Sequence, residues 1–234
     1  MALTFPRDLP AVGFTVGTLF TLERREARAT TRGGDPQAIE LASPLWNMRY
    51  RTIPLSEADA ETVDAWLASL RGGAKKFKAW SPLRQWPLAY PTGFGGQTRQ
   101  GGGSFDGTAT ITAIAGTLDS VTINTLPSTF KITTGDLVSI GYASGARTLH
   151  KAMETVTASA GAASFAVEPV LLPGGPVGTA GAVTFAAPWC YATLDAGKTD
   201  DRGVTVGAGV IAGPGTFRVH RPGGGMPVGV DLES

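Results

Sequence analysis

Thr108-Ala109-Thr110-Ile111-Thr112-Ala113-Ile114-Ala115-Gly116-Thr117-Leu118-Asp119-Ser120-Val121-Thr122-Ile123-Asn124 points to a β protein. Strands are expected over 108–114 and 119–124, with a turn signal around Gly116 between them. No helical period runs through the stretch. Working outward, the same Thr/Ala/Val-rich texture predicts short strands over 137–142, 148–157, 164–168 and 182–186. Turn signals part them at short, fairly even intervals, the pattern of a small antiparallel barrel or sandwich. Charge marks the borders of this region. Residues 95–187 hold four Lys/Arg and five Asp/Glu, against sixteen and fourteen elsewhere. At its start, Gly93, Gly95, Gly96, Gly101, Gly102, Gly103 and Gly107 fall among Gln, Thr and Ser, which reads as a linker or a long mobile loop.

The flanks read differently. Before the glycine-rich stretch, strands surround one helix. Phe14, Val16, Phe20 and Leu22 share one parity, as in a half-buried strand. Gly33-Gly34-Asp35-Pro36 is a turn. Trp46, Met48 and Tyr50 then alternate with Asn47, Arg49 and Arg51, giving one apolar and one wet face. The helix is expected over about 56–71. Ser56 is the N-cap and Asp59 completes a capping box with a short acid. Glu57, Asp59 and Glu61 suit the positive end of the helix dipole. Val63, Trp66, Leu67 and Leu70 form the apolar stripe. Arg71 falls in the last turn, and Gly72-Gly73 end the helix in the left-handed conformation. A strand with a basic exposed side follows at Lys75-Lys76-Phe77-Lys78-Ala79-Trp80.

After residue 187 charge returns. Phe217 and Val219 alternate with Arg218 and His220, and Val228, Val230 and Leu232 alternate in a last strand. The expected organisation is mainly β. Residues 1–94 and 188–234 form one antiparallel barrel or sandwich domain with one helix, and 95–187 form a small inserted antiparallel barrel module. Two consecutive domains are the rival arrangement.

Bulk composition narrows the function. The 234 residues include 32 Gly and 16 Pro without a collagen period, while 42% are hydrophobic, enough to build cores rather than stay disordered. A net charge of +1 gives no overall bias toward nucleic acid or an anionic membrane. One cysteine, Cys190, excludes an internal disulfide. The N-terminus lacks the basic-then-apolar pattern of a signal peptide, and no apolar run reaches the ~18 residues of a membrane span, so a cytoplasmic product without membrane insertion is expected.

No catalytic, metal or cofactor residues are assigned. His150 and His220 have no partner at metal-ligand spacing. Cys190, between Trp189 and Tyr191, reads as a core residue. Ser144 in Gly141-Tyr142-Ala143-Ser144-Gly145 lacks the strand-turn-helix setting of a nucleophile elbow and reads as a hairpin tip. The glycine run 174–181 lacks a Lys-Ser/Thr ending and opens no helix, so it is a loop. Gly135-Asp136 shapes a turn rather than a calcium site. Two surfaces remain as candidates. Lys75, Lys76, Lys78 and Arg84 form a basic cluster, either a solvated sheet face or a channel lining. Trp80, Trp86, Tyr90 and Phe94 form an aromatic stretch, either core packing or a platform for carbohydrate or protein.

Two segments carry a family resemblance. Ser43-Pro44-Leu45-Trp46, the helix, and Phe77-Lys78-Ala79-Trp80-Ser81-Pro82 resemble the N-terminal strands and single helix of distal tail proteins of long-tailed phages and gene-transfer particles. Phe130-Lys131-Ile132-Thr133-Thr134-Gly135-Asp136 through Leu149-His150-Lys151 to Ala166-Val167-Glu168-Pro169 is similar to a small β module of tail-tip proteins. The resemblance implies a virion structural protein and not an enzyme: a homohexameric ring at the tail tip or baseplate, made in the host cytoplasm. Implied partners are the tail tube protein, the tail-tip hub protein and tail fibres, with DNA only passing through the channel. It implies no cofactor. A carbohydrate-binding host-recognition module is the alternative function, and a small hydrolase a weaker rival that lacks a catalytic constellation.

Overall fold

The computed structural model describes residues 3–16, 18–30, 32–179, 182–195, 204–208 and 214–220. The chain is mainly β with one helix. In order, the elements are β1 (Leu19–Thr30), β2 (Pro36–Pro54), α1 (Glu57–Ser69), β3 (Phe77–Trp80), β4 (Thr108–Ile114), β5 (Ser120–Asn124) and β6 (Lys131–Ile132). There follow β7 (Leu137–Gly141), β8 (Arg147–Ala152), β9 (Val156–Thr157), β10 (Ala163–Glu168) and β11 (Val183–Thr184). β12 (Trp189–Asp195), β13 (Val204–Ala208) and β14 (Pro214–His220) complete the order. No helix among the described residues is long and apolar enough to cross a membrane. The strand expected around Val228–Leu232 lies outside the described residues.

The chain divides into two compact units, Met1–Lys78 with Ala192–Ser234, and Ala79–Tyr191. Charge density placed the borders at 94/95 and 187/188; the structure groups 79–94 and 188–191 with the second unit. Packing explains the difference. Phe94 is buried in that unit's core, Tyr90 stacks on Phe130 at 4.7 Å, and the Ala187 N–H donates to the Gln85 carbonyl at 2.7 Å.

In the first unit the sheet order is β1-β2-β14-β13-β12-β3. β14 runs parallel to β2, pairing Phe217 with Tyr50, while β1 and β13 run antiparallel to β2. The alternation of β2 holds: Trp46, Met48, Tyr50 and Thr52 are buried. Leu22 and Phe20 pair with Trp46 and Met48 and extend that face, with Phe20 edge-on to Tyr50 at 5.6 Å. Val16 does not share it and is 88% exposed. β1 begins only at Leu19, and a Thr18-to-Thr15 backbone turn breaks the parity before it.

Ser56 caps the helix as expected, while the Asp59 carboxylate takes the Ser56 hydroxyl in place of the backbone N–H of a capping box. The Ser56 hydroxyl accepts from the Asp59 N–H at 3.2 Å and donates to the Asp59 carboxylate at 2.7 Å. Ala60, Val63, Trp66 and Leu70 are buried. Trp66 lies edge-on to Phe77 at 5.1 Å and donates through Nε1 to the Asp8 carbonyl at 2.8 Å. Leu70 is the C-cap, and the left-handed turn starts at Arg71 (φ 52°), so Arg71 stands beyond the last turn. Gly73 has no alternative. Its φ is +96°, and a Cβ there would stand 2.3 Å from the Leu194 carbonyl oxygen.

In the second unit β10-β5-β4-β11-β7-β8 close into a barrel. Its interior holds Ile111, Ile123, Val138, Ile140, Phe165, Val183 and Phe185, with Phe130 among four aromatic neighbours. The stretch expected as one strand over 148–157 is two, β8 and β9, and β9 pairs with β6, which was not anticipated. Buried Asp136 shapes its turn by accepting from the Thr133 N–H at 2.7 Å and the Leu88 N–H at 2.8 Å.

The glycine-rich stretch is not a linker. Phe94 and Phe105 are buried at its two ends. The Phe105 N–H donates to the Gln97 carbonyl and the Arg99 N–H to the Gly103 carbonyl, both at 2.9 Å. Gly102 and Gly103, at φ of 89° and 85°, make the tight turn between these arms. Glycine here supplies left-handed turn geometry, which composition alone does not distinguish from flexibility.

Candidate functional site

His150 and Cys190 are both buried. His150 is fully buried: its Nδ1–H donates to the Pro169 carbonyl at 2.7 Å, and its Nε2 accepts from the Thr148 hydroxyl. Burial pushes its pKa down to about 4, against the pull of the Pro169 carbonyl, so the ring is neutral. Cys190 is buried, which pushes its thiol pKa up and away from the reactive thiolate. Among the described residues no cluster of His, Cys, Asp or Glu is placed to hold a metal ion.

The basic cluster does not come together as one free patch. Lys75 lies over the Phe5 ring at 5.5 Å, and Lys78 pairs with Asp8 at 3.0 Å. Lys76 is exposed in the first unit, whereas Arg84 is half-buried in the second. The aromatic stretch lies wholly in the second unit, and its rings differ in burial. Tyr90 is packed flat on Phe130, and its hydroxyl accepts from the Lys131 N–H at 2.9 Å. Phe94 is buried and Trp80 half-buried in β3. Trp86, 38% exposed, presents the most open ring of the four.

Two features escaped the sequence reading. The first is an arm. Beyond the Glu23–Leu45 pair, β1 and β2 continue as a two-stranded ribbon to the Thr30–Pro36 pair, with irregular register at Arg25. Pro36–Ser43 are all exposed, including Ile39 and Leu41 at 68% each. Pairing assigns the faces. Ala27 sits opposite Ile39 and Ala29 opposite Gln37 on one side; Glu26 sits opposite Glu40 and Arg28 opposite Ala38 on the other. The Glu26–Glu40 repulsion is offset by Arg28, 3.0 Å from Glu26, and Arg24, 3.6 Å from Glu40. Alternation at Gln37, Ile39 and Leu41 was the available signal, masked by the short span of strand expected there.

The second is a cleft of about 570 Å³ in the second unit, lined by Trp86, Phe94, Phe105 and the loop around Gln97 and Asp106. Asp106 Oδ1 accepts from Arg99 Nη2 at 2.6 Å, from the Thr108 N–H at 2.9 Å and from the Thr108 hydroxyl at 2.7 Å. Partial burial raises its pKa, but the Thr108 hydrogen bonds and the Arg99 charge outweigh that and hold it below the usual carboxylate value. Arg99 also donates to the Thr108 and Thr125 carbonyls, both at 2.8 Å, which anchors the loop to the barrel.

No protein-family model matches the sequence, and no curated protein matches it.

Proposed function

We propose that this chain is a structural subunit of a phage-type tail: a distal tail protein whose copies close a ring between the tail tube and the tail-tip hub, around a channel for DNA. The observation that carries the reading is the β1–β2 arm. Two strands alone are marginal in water. This arm adds an exposed apolar row, Ala27 and Ile39, that its own sheet does not cover. Such a row finds cover on another molecule. An arm on each copy laid against the next makes a head-to-tail contact, and repetition of that contact by rotation closes a ring. Six-fold symmetry and the identity of the tube and hub rest on the resemblance of residues 43–82 and 130–169. A stable contact of this kind buries well over ~1,000 Å².

The test is the assembled particle. Density for this chain as a six-fold layer between tube and hub is the expected result. Density in trimeric fibres, or absence of the chain from the virion, overturns it. A chain with residues 25–42 replaced by a short hairpin turn should fold as the native one does but fail to enter particles.

A further inference from the structure

We infer that Arg147 is a carboxylate-binding site, built to take one acidic side chain of a partner protein. This goes beyond the ring reading and does not depend on it. Arg147 opens β8 and is half-buried in the second unit. One edge of its guanidinium is anchored. Nε donates to the Ser139 hydroxyl at 2.8 Å, and Nη2 to the Thr184 hydroxyl at 2.6 Å. Ser139 is itself fully buried and donates to the Trp189 carbonyl. The guanidinium carbon lies over the Trp189 ring, 4.6 Å from its centre. A cation fixed in this way before its partner arrives loses little freedom on binding.

The charge has no counterion beside it. Both anchors are neutral hydroxyls, and no carboxylate among the described residues pairs with Arg147. A charge drawn partly out of water is normally paired, because losing hydration costs it far more than it costs a dipole. The other edge of the guanidinium is where a counterion fits. Nη1 has no acceptor among the described residues. It lies close to Gly141, the cross-strand partner of Arg147, where a Cβ would stand 3.1 Å from it. Any side chain there would press on Nη1, and glycine leaves the edge clear. Nη1 and the remaining N–H of Nη2 form a parallel pair of donors, the fork that a carboxylate takes with both oxygens.

Other ligands fit less well. A phosphate dianion carries more charge than one guanidinium offsets, and Ser139, Gly141, Thr184, Trp189 and Tyr191 bring no second cation. A neutral ligand leaves the charge unpaired. The aromatic flank argues for a carboxylate carried on protein. Trp189 meets Tyr191 edge-on at 5.1 Å and 75°, and both are half-buried. Arg, Trp and Tyr are the residue types that most often anchor protein interfaces. Their apolar area is covered by the neighbours of an acidic side chain, and a free carboxylate ion makes no use of it.

The test uses the full chain, labelled with ¹⁵N and ¹³C, and follows the Arg147 Nε–H, assigned through its side-chain carbons. The probes are acetate, acetamide, inorganic phosphate and two capped peptides, acetyl-Leu-Glu-Phe-amide and acetyl-Leu-Gln-Phe-amide, with ionic strength held constant by sodium chloride. The Glu peptide should shift the signal saturably, with Kd on the order of millimolar, and acetate should bind about tenfold more weakly. Acetamide and the Gln peptide should leave the signal in place. Gly141→Ala, which crowds Nη1, should weaken the Glu peptide about fivefold while the remaining spectrum stays dispersed. The inference is overturned if neither acetate nor the Glu peptide moves the signal up to about 100 mM. It is equally overturned if the Gln peptide binds as the Glu peptide does, if phosphate alone binds, or if Gly141→Ala changes nothing. Acetate binding as tightly as the Glu peptide would assign the site to a free small carboxylate and overturn the protein partner.

Discussion

In the second unit, every strand of the barrel has a neighbour on both sides. In the first, β1 and β3 stand at the two ends of the sheet order, and β1 and β2 run on together past the last buried residue. Closure satisfies the backbone within the molecule and removes the edges on which strands of other chains add. The open sheet retains an edge and extends it into a ribbon with one apolar and one charged face. Composition differs too, with five charged residues in β1 and none in β4 or β5, but it is the pairing that leaves an edge in the open sheet and none in the barrel. The barrel closes its own edges, whereas the arm leaves Ile39 and Leu41 exposed.

The largest effect expected is in the barrel. Phe130→Ala removes the ring at the centre of the aromatic cluster and should cost roughly 3–5 kcal/mol. Chemical denaturation measures it, with hydrogen exchange showing lost protection within Ala79–Tyr191. An unshifted midpoint would show that this cluster is not what holds the barrel.

Acid should reveal the barrel's other buried group. His150 has its pKa lowered to about 4 in the folded chain, while an unfolded His titrates near 6.5. The unfolded state therefore takes up the proton first as pH falls. Stability is unaffected by this group above about pH 6.5, falls as pH drops toward 4, and levels below that, a loss on the order of 3 kcal/mol. His150→Gln, which keeps a donor and an acceptor but does not titrate, should flatten that slope in urea melts taken across the range. The same slope in the variant would assign the effect to other groups.

In the first unit, Gly73→Ala should cost roughly 2 kcal/mol, combining the positive φ with the close approach to Leu194. Ser56→Ala should cost about 1 kcal/mol through the lost cap. Thermal melts resolve both, and a neutral Gly73→Ala would mean that the helix exit lies further from β12. The smallest stability change is expected on the arm. Ile39→Lys should stay within about 0.5 kcal/mol of the native chain, because its site is exposed. The same change should reduce assembly, read by light scattering or by incorporation into particles. A large loss of stability with no assembly defect would make the arm part of the first unit's own core and erase the contrast with the barrel.

Much of the candidate surface was hidden from the sequence for one physical reason: a residue's type does not say which partner takes it. Lys75 and Lys78 look like a basic patch until Phe5 and Asp8 are beside them. Tyr90 and Phe94 look like a platform until Phe130 covers them. Gln97 and Asp106 look like linker residues until the turn at Gly102–Gly103 folds their loop beside Trp86.

What the sequence determined by itself is local. Period-two alternation set the buried face at Trp46, Met48 and Tyr50. Helical spacing set Val63, Trp66 and Leu70. The Ser56–Asp59 pair set where the helix starts, and the turn residues set most strands from 108 onward, though not β6 or the break between β8 and β9. Each depends on interactions within a few residues, so the order along the chain is enough to read it. The tertiary structure decided the rest: closure of one set of strands into a barrel, the β14–β2 parallel pairing, the border at Ala79, and a ribbon left uncovered beyond Leu45. These depend on which strand edges and aromatic rings meet across long separations in the chain. That choice is made by the combined burial of the whole core, and no local pattern records it.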